Sequence, residues 1–226
     1  MPDRSSFARA PRGVTLAVNV VLFTPHGSEL AVLLTPNAAR GRTRGAPPSD
    51  SLRTDESLDQ AAARIARDAL GSAPSFLLQA SAEGSAARQQ DHPQVSITYF
   101  GLVPDAGTLR ASAQWTPLSE LGSLSARQKQ DVDAAVTAMR AQVDQQPIAF
   151  RLVPTTFTLS ELQSVYELLL GRRLHKASFR RSLHASALVE ATDEWRAEGR
   201  GRPAQLFRYA PPRRRRPRRG VRFDLL

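Results

Sequence analysis

The run Val14–Phe23 is apolar at almost every position and rich in Val and Leu. A strand with one wet face alternates apolar and polar residues. One that is apolar throughout is covered on both sides, so this run demands a sheet with layers above and below it. Pro25, His26 and Gly27 then turn the chain, and Leu30–Leu34 reads as the hairpin partner. Pro36 to Ser51 is rich in Arg, Gly and Pro without apolar periodicity and reads as a long loop. Thr54 followed by Ser57–Leu70 reads as a helix, with Leu58, Ala61, Ala62, Ile65 and Leu70 along one face and Gly71 just past its end. Phe76–Ala80 and Val95–Val103 are further strands, and Ser125–Val143 is a second long helix. This order predicts the α+β class, with an α/β/α sandwich in the first two thirds of the chain.

The 226 residues suffice for one large domain or two small ones. With no cysteine, a disulfide framework, a cysteine nucleophile and thiolate zinc sites are excluded. The four histidines, His26, His92, His175 and His184, are scattered and form no metal-binding pair, so neither a metal nor a cofactor is expected. No apolar stretch approaches the roughly 20 residues of a membrane span. The start of the chain, with Asp3, Arg4 and Arg9, does not read as a signal peptide. The expectation is a cytoplasmic protein without a membrane partner.

Charge divides the chain. Residues 1–150 carry 14 basic and 14 acidic side chains, whereas residues 151–226 carry 17 basic and 7 acidic, so the whole excess of +10 lies at one end. A localised excess of this kind is the footprint of polyanion binding, because each neutralised phosphate releases condensed counterions. A solvated basic tail accounts for Arg213–Arg216 with Arg218 and Arg219, but not for the patterned segment before them.

In that segment Thr158-Leu159-Ser160-Glu161 is a capping box that starts a helix. Leu159, Leu162, Val165, Tyr166 and Leu169 follow the helical period, and Gly171 ends it. A shorter helix at Ser178–Ala185 turns Phe179 and Leu183 inward and Arg180, Arg181 and His184 outward. Leu188–Thr192 and Gln205–Tyr209 are short strands around the charged loop Asp193–Pro203. Helix, helix, strand, loop, strand is a winged helix-turn-helix, and the expected partner is double-stranded DNA. A recognition helix needs one face to dock and one basic face for the major groove. Lys176, Ser178, Arg180, Arg181 and His184 supply the second, Arg200 and Arg202 lie in the wing, and Arg213 and Arg214 open the tail. The wing sequence Arg200-Gly201-Arg202-Pro203 resembles the minor-groove core of AT-hook peptides. Taken singly, each arginine also fits a solvated surface charge.

The first helix carries a second pattern. Glu56, Arg64 eight residues on and Gly71 fifteen residues on hold the register of the Nudix box, and Trp115-Thr116-Pro117-Leu118-Ser119-Glu120-Leu121 is similar to the segment that follows the last Nudix strands. The box is incomplete: Asp50 stands where the family has its first glycine, Ile65 where it has the glutamate after arginine, and Asp68 and Ala69 where it has a Glu-Glu pair. Cleaving a diphosphate needs clustered carboxylates around Mg²⁺. Only Asp68 and the more distant Glu56 remain, so hydrolysis is not expected, and Glu56 with Arg64 reads as an ion pair fastening the loop to the helix.

Together with Phe157–Gln163, Gly171-Arg172, Phe179-Arg180-Arg181 and Gly201-Arg202-Pro203-Ala204, these features resemble the Nudix-related transcriptional regulators of NrtR type. The resemblance implies a leader at 1–13, a Nudix-like sensing and dimerisation domain at 14–148, a winged helix-turn-helix at 149–210 and an Arg-rich tail at 211–226. It implies a homodimeric repressor whose inactive Nudix-like domain senses ADP-ribose or another NAD-related nucleotide. Arg40, Arg53, Glu56, Arg64 and Asp68 are the expected ligand-binding residues. Two other readings stay open: a Nudix-type hydrolase with a basic accessory domain, and a DNA-binding protein whose Nudix domain is only a scaffold.

Overall fold

A computed structural model describes residues 15–36, 45–85, 94–105, 109, 113–197 and 203–210. Its centre is the apolar run. β1 (Thr15–His26) turns through Gly27 and Ser28 into β2 (Glu29–Pro36), with His26 opposite Glu29. Gly27 sits at φ +58, a conformation that a side chain would disfavour. The strand therefore runs through Pro25 and His26, and the turn is one step later than the sequence suggests.

Along its other edge β1 pairs in parallel with β6 (Gln94–Leu102), which pairs antiparallel with β5 (Phe76–Ser85). Two short strands, β3 (Gly45–Ala46) and β4 (Ser49–Ser51), and then β7 (Gln114–Pro117) complete the sheet, in which β3, β2, β1, β6 and β5 lie in that order, β4 pairs with β1 and β7 with β2. Residues 45–46 and 49–51 thus belong to the sheet, contrary to the expected long loop; Arg40, Arg42 and Arg44 lie outside the described residues. β5 also outruns its expected end at Ala80, because beyond it Ser81 and Glu83 carry no apolar signal and only pairing with β6 keeps them extended.

Alternate residues of β1 serve two cores. Val18, Val20 and Leu22 pack on one side with Ala61, Ala62, Ile65 and Ala66 of α1 (Leu58–Leu70). Val21 and Phe23 pack on the other with Val132, Ala135, Met139 and Val143 of α2 (Ala126–Val143). The α/β/α sandwich follows directly from a strand that is buried on both faces.

Asp131 is the one charged side chain in the buried part of the described residues. Thr98 Oγ1 and Asn19 Nδ2 donate to its carboxylate at 3.1 and 3.2 Å, and Arg127 lies 3.6 Å away. Burial pushes this carboxyl above its ordinary value despite the nearby guanidinium.

The second part has its own small sheet, β8 (Thr156–Phe157), β10 (Ala204–Tyr209) and β9 (Val189–Arg196), in that order, against α3 (Leu159–Leu170) and α4 (Lys176–Ser186). α4 is longer than expected at both ends, and β9 extends through Asp193–Arg196, which reads as loop in the sequence because three of its four residues are charged. No gap separates the two parts. The 3₁₀ turn Ile148–Arg151 buries Ile148 and Ala149, and one apolar cluster runs from Val21 and Met139 through Ile148 to Leu162, Tyr166, Phe179 and Leu183.

Candidate functional site

α3 begins where the capping box places it. The Thr158 hydroxyl accepts the Glu161 amide at 3.1 Å, and Glu161 Oε2 accepts the Thr158 amide at 2.7 Å. The other oxygen of Glu161 accepts from Arg196 at 2.6 Å, so one carboxylate both caps α3 and fastens β9. α3 ends at Gly171, with φ +67. Glu167 then organises the turn into α4: its Oε1 accepts from Gln163 and from the Leu174 amide, both at 2.9 Å, and its Oε2 accepts from Arg173 at 3.1 Å. Burial pushes the Glu167 carboxyl up, but these hydrogen bonds outweigh it and hold the group below its ordinary value.

α4 is two-faced. Phe179 and Leu183 are buried, Phe179 edge-on to Tyr166 with ring centroids 5.6 Å apart. Lys176, Ser178, Arg180, Arg181 and His184 are all exposed on the remaining surface. No acidic side chain among the described residues pairs with Lys176, Arg180 or Arg181, whereas Arg196 and Arg208 of the small sheet are committed to Glu161 and Glu190. The basic face of α4 is thus free to meet phosphates or base edges. Sequence reasoning found Glu161 as a cap but missed its second partner, Arg196, and missed Glu167 as an organiser altogether. Arg200, Arg202, Arg213 and Arg214 lie outside the described residues.

The Nudix-like register forms a closed charge clasp. Arg64 donates to Glu56 through Nε at 2.9 Å and through a terminal nitrogen at 2.6 Å, and to Asp50 at 2.6 Å. The Ser51 carbonyl accepts from it as well, and the Arg53 amide donates to Glu56. The Arg64 hydrogen bonds, aided by that amide, bring the Glu56 carboxyl down to about 2, lower Asp50 as well, and raise Arg64. The expected pair Glu56–Arg64 is present. Asp50, standing at the family's glycine position, is a third member that nothing in the spacing of the motif announces. Arg53 reaches Asp50 only at 4.0 Å and is exposed.

Asp68, one turn beyond Arg64, is exposed and stands apart from the clasp, while Ile65 and Ala69 at two other glutamate positions are buried in the core. Among the described residues no three His, Cys, Asp or Glu side chains come together as a metal site. No described helix is long and apolar enough to cross a membrane.

A pH dependence follows from the clasp. Glu56 titrates lower folded than its usual 4.5, so its contribution is present above that value and fades as pH falls toward about 2. Glu56→Gln should therefore melt below the parent protein at pH 7, with the gap closing across this acid window. Thermal unfolding at stepped pH checks it, and a gap constant with pH would show that the clasp is not ionic.

Known proteins share both halves of this arrangement. Residues 149–209 match the family described as the NrtR DNA-binding winged helix domain. The chain is 29% identical over 206 residues to the ADPR responsive transcriptional repressor NtrR of Acinetobacter baylyi, covering 86% of this chain and 82% of that one. The structure of Shewanella oneidensis NrtR in complex with a 27mer DNA superposes with a TM-score of 0.72 at 28% identity, over 87% of this chain and 94% of that one. A MutT/nudix family protein from Enterococcus faecalis, at 15% identity and a TM-score of 0.67 over 88% of this chain and 87% of that one, shares the fold. Over most of its length the chain is thus similar to the Nudix-related transcriptional regulators of NrtR type and shares their build, a Nudix-like sandwich followed by a DNA-binding winged helix.

Proposed function

We propose that this chain is a transcriptional repressor that binds double-stranded DNA through α4 and its wing, and that its Nudix-like sandwich senses ADP-ribose or a related nucleotide without hydrolysing it. The observation that carries the DNA reading is the basic face of α4, without acidic partners among the described residues, on a winged helix of NrtR type. The relative responsive to ADPR supports the effector. The clasp supports the lack of hydrolysis, since both carboxylates nearest the loop are engaged by Arg64 and two further glutamate positions are filled by core residues.

The sandwich at 14–148 serves as sensor and dimerisation domain and the winged helix at 149–210 as reader. A two-fold dimer matches a palindromic operator. Arg53, Asp68 and the Glu56–Arg64 pair, with Arg40, frame the effector site. For such a sensor to release DNA, the effector must bind the two states of the dimer with different affinity.

The test is a gel shift at physiological salt with the DNA upstream of the protein's own gene, with and without ADP-ribose. A specific shift that ADP-ribose reverses is expected. A shift indifferent to the nucleotide leaves the sandwich as a scaffold, and no shift defeats the reading. In a thermal-shift experiment ADP-ribose at a hundred times its dissociation constant should stabilise the fold by about 2.7 kcal/mol. Hydrolysis of the diphosphate linkage of such a nucleotide in the presence of Mg²⁺ would restore the hydrolase reading.

Removing residues 213–226 should weaken binding to all DNA sequences alike and flatten its salt dependence, the logarithmic slope falling by roughly 0.9 for each phosphate that is no longer neutralised. A changed sequence preference would show instead that the tail reads bases.

A further inference from the structure

A cleft of about 610 Å³ lies where the two parts of the chain meet. One wall is the β1–β2 turn, another is the last two turns of α2, and the third is α3 with the turn that follows it. Leu30, Leu118, Val136, Met139 and Leu168 give the cleft an apolar lining. This volume is in the range of small-molecule sites, and the site is concave, mostly apolar and preformed.

The charges on its rim are unequal. Both acidic residues are already occupied: Glu29 accepts from the Ser119 amide at 3.1 Å and from its hydroxyl at 2.9 Å, and Glu167 holds the turn into α4. Two of the three arginines have no acidic partner among the described residues. Arg172 is exposed, and Arg140 lays its guanidinium against Gly171, where a side-chain carbon would collide with it. Two unpaired guanidinium groups beside an apolar lining select an anion with an apolar body, and they offer nothing to a cation.

We propose that this junction cleft is a binding site for a small organic anion, held at its charged end by Arg140 and Arg172 and along its apolar body by Leu118, Val136 and Leu168. It is separate from the face of α1 that carries the Arg64 clasp, and the proposal rests on neither the DNA nor the ADP-ribose reading. A ligand seated there touches α2 and the α3–α4 turn at once.

The test uses anilinonaphthalene sulfonate, a fused-ring sulfonate of this class, titrated by fluorescence into the full-length folded protein. Saturable binding of one molecule per chain is expected, weakened at least tenfold in Arg140→Gln/Arg172→Gln. Ser164→Trp, an exposed position on the cleft wall, should abolish it by filling the space while leaving the core untouched. Unchanged affinity in both variants overturns the proposal, as does the absence of saturable binding in the parent protein. Competitive displacement of the dye by ADP-ribose overturns it too, since the dye would then occupy the nucleotide's site.

Discussion

Replacing Arg180 and Arg181 together with alanine is expected to remove specific DNA binding while leaving the protein folded. Both side chains are exposed, on the surface of α4 away from Phe179 and Leu183, and neither is tied to an acidic partner among the described residues. The fold therefore loses nothing with them. A good bidentate arginine contact to a base contributes about 1–3 kcal/mol of discrimination, so the pair together costs from roughly thirtyfold in affinity upward. The gel shift should lose its specific band, while circular dichroism and the melting temperature stay as in the parent. A double variant that shifts the operator normally would place the recognition surface elsewhere than on α4.

Phe179→Ala is expected to fail by the opposite route. Phe179 is 1% exposed and lies edge-on to Tyr166, inside the cluster that joins the winged helix to the sandwich. Truncating a buried phenylalanine costs about 3–5 kcal/mol through forfeited transfer energy and the cavity left behind. That is a large part of the roughly 5–15 kcal/mol by which such proteins are stable. The melting temperature should fall steeply, and DNA binding should fall with the folded fraction. A destabilisation under about 1 kcal/mol would mean that α4 is not held against α3 as described.

What could be read from the sequence depended on whether the deciding interaction was local. Helices were legible from short windows, through apolar periodicity and terminal glycines and, at Thr158, through a capping box; the structure shows the same reciprocal box at Ser57 and Ser125. The double burial of β1 was legible because its apolar residues never alternate. β3, β4 and the far half of β5 were not, since polar residues stay extended there only by pairing with distant strands. The clasp shows both cases. Glu56 and Arg64 are a fixed eight residues apart around a helix start, whereas Asp50 reaches Arg64 only because β4 is pinned to β1. The junction cleft was invisible, for its walls come from four segments that only the tertiary fold assembles.

The unbroken cluster from Met139 through Ile148 to Tyr166 also bears on how such a protein diversifies. A reading head connected by a loose linker can be exchanged between genes as a cassette. This winged helix is moulded onto the sandwich, and a cut between them would lay bare the apolar sides of both. A recombined partner would have to bring a matching inner face of α2 with it, so new specificities in this architecture arise by repainting the exposed surface of α4, residue by residue, rather than by shuffling whole modules.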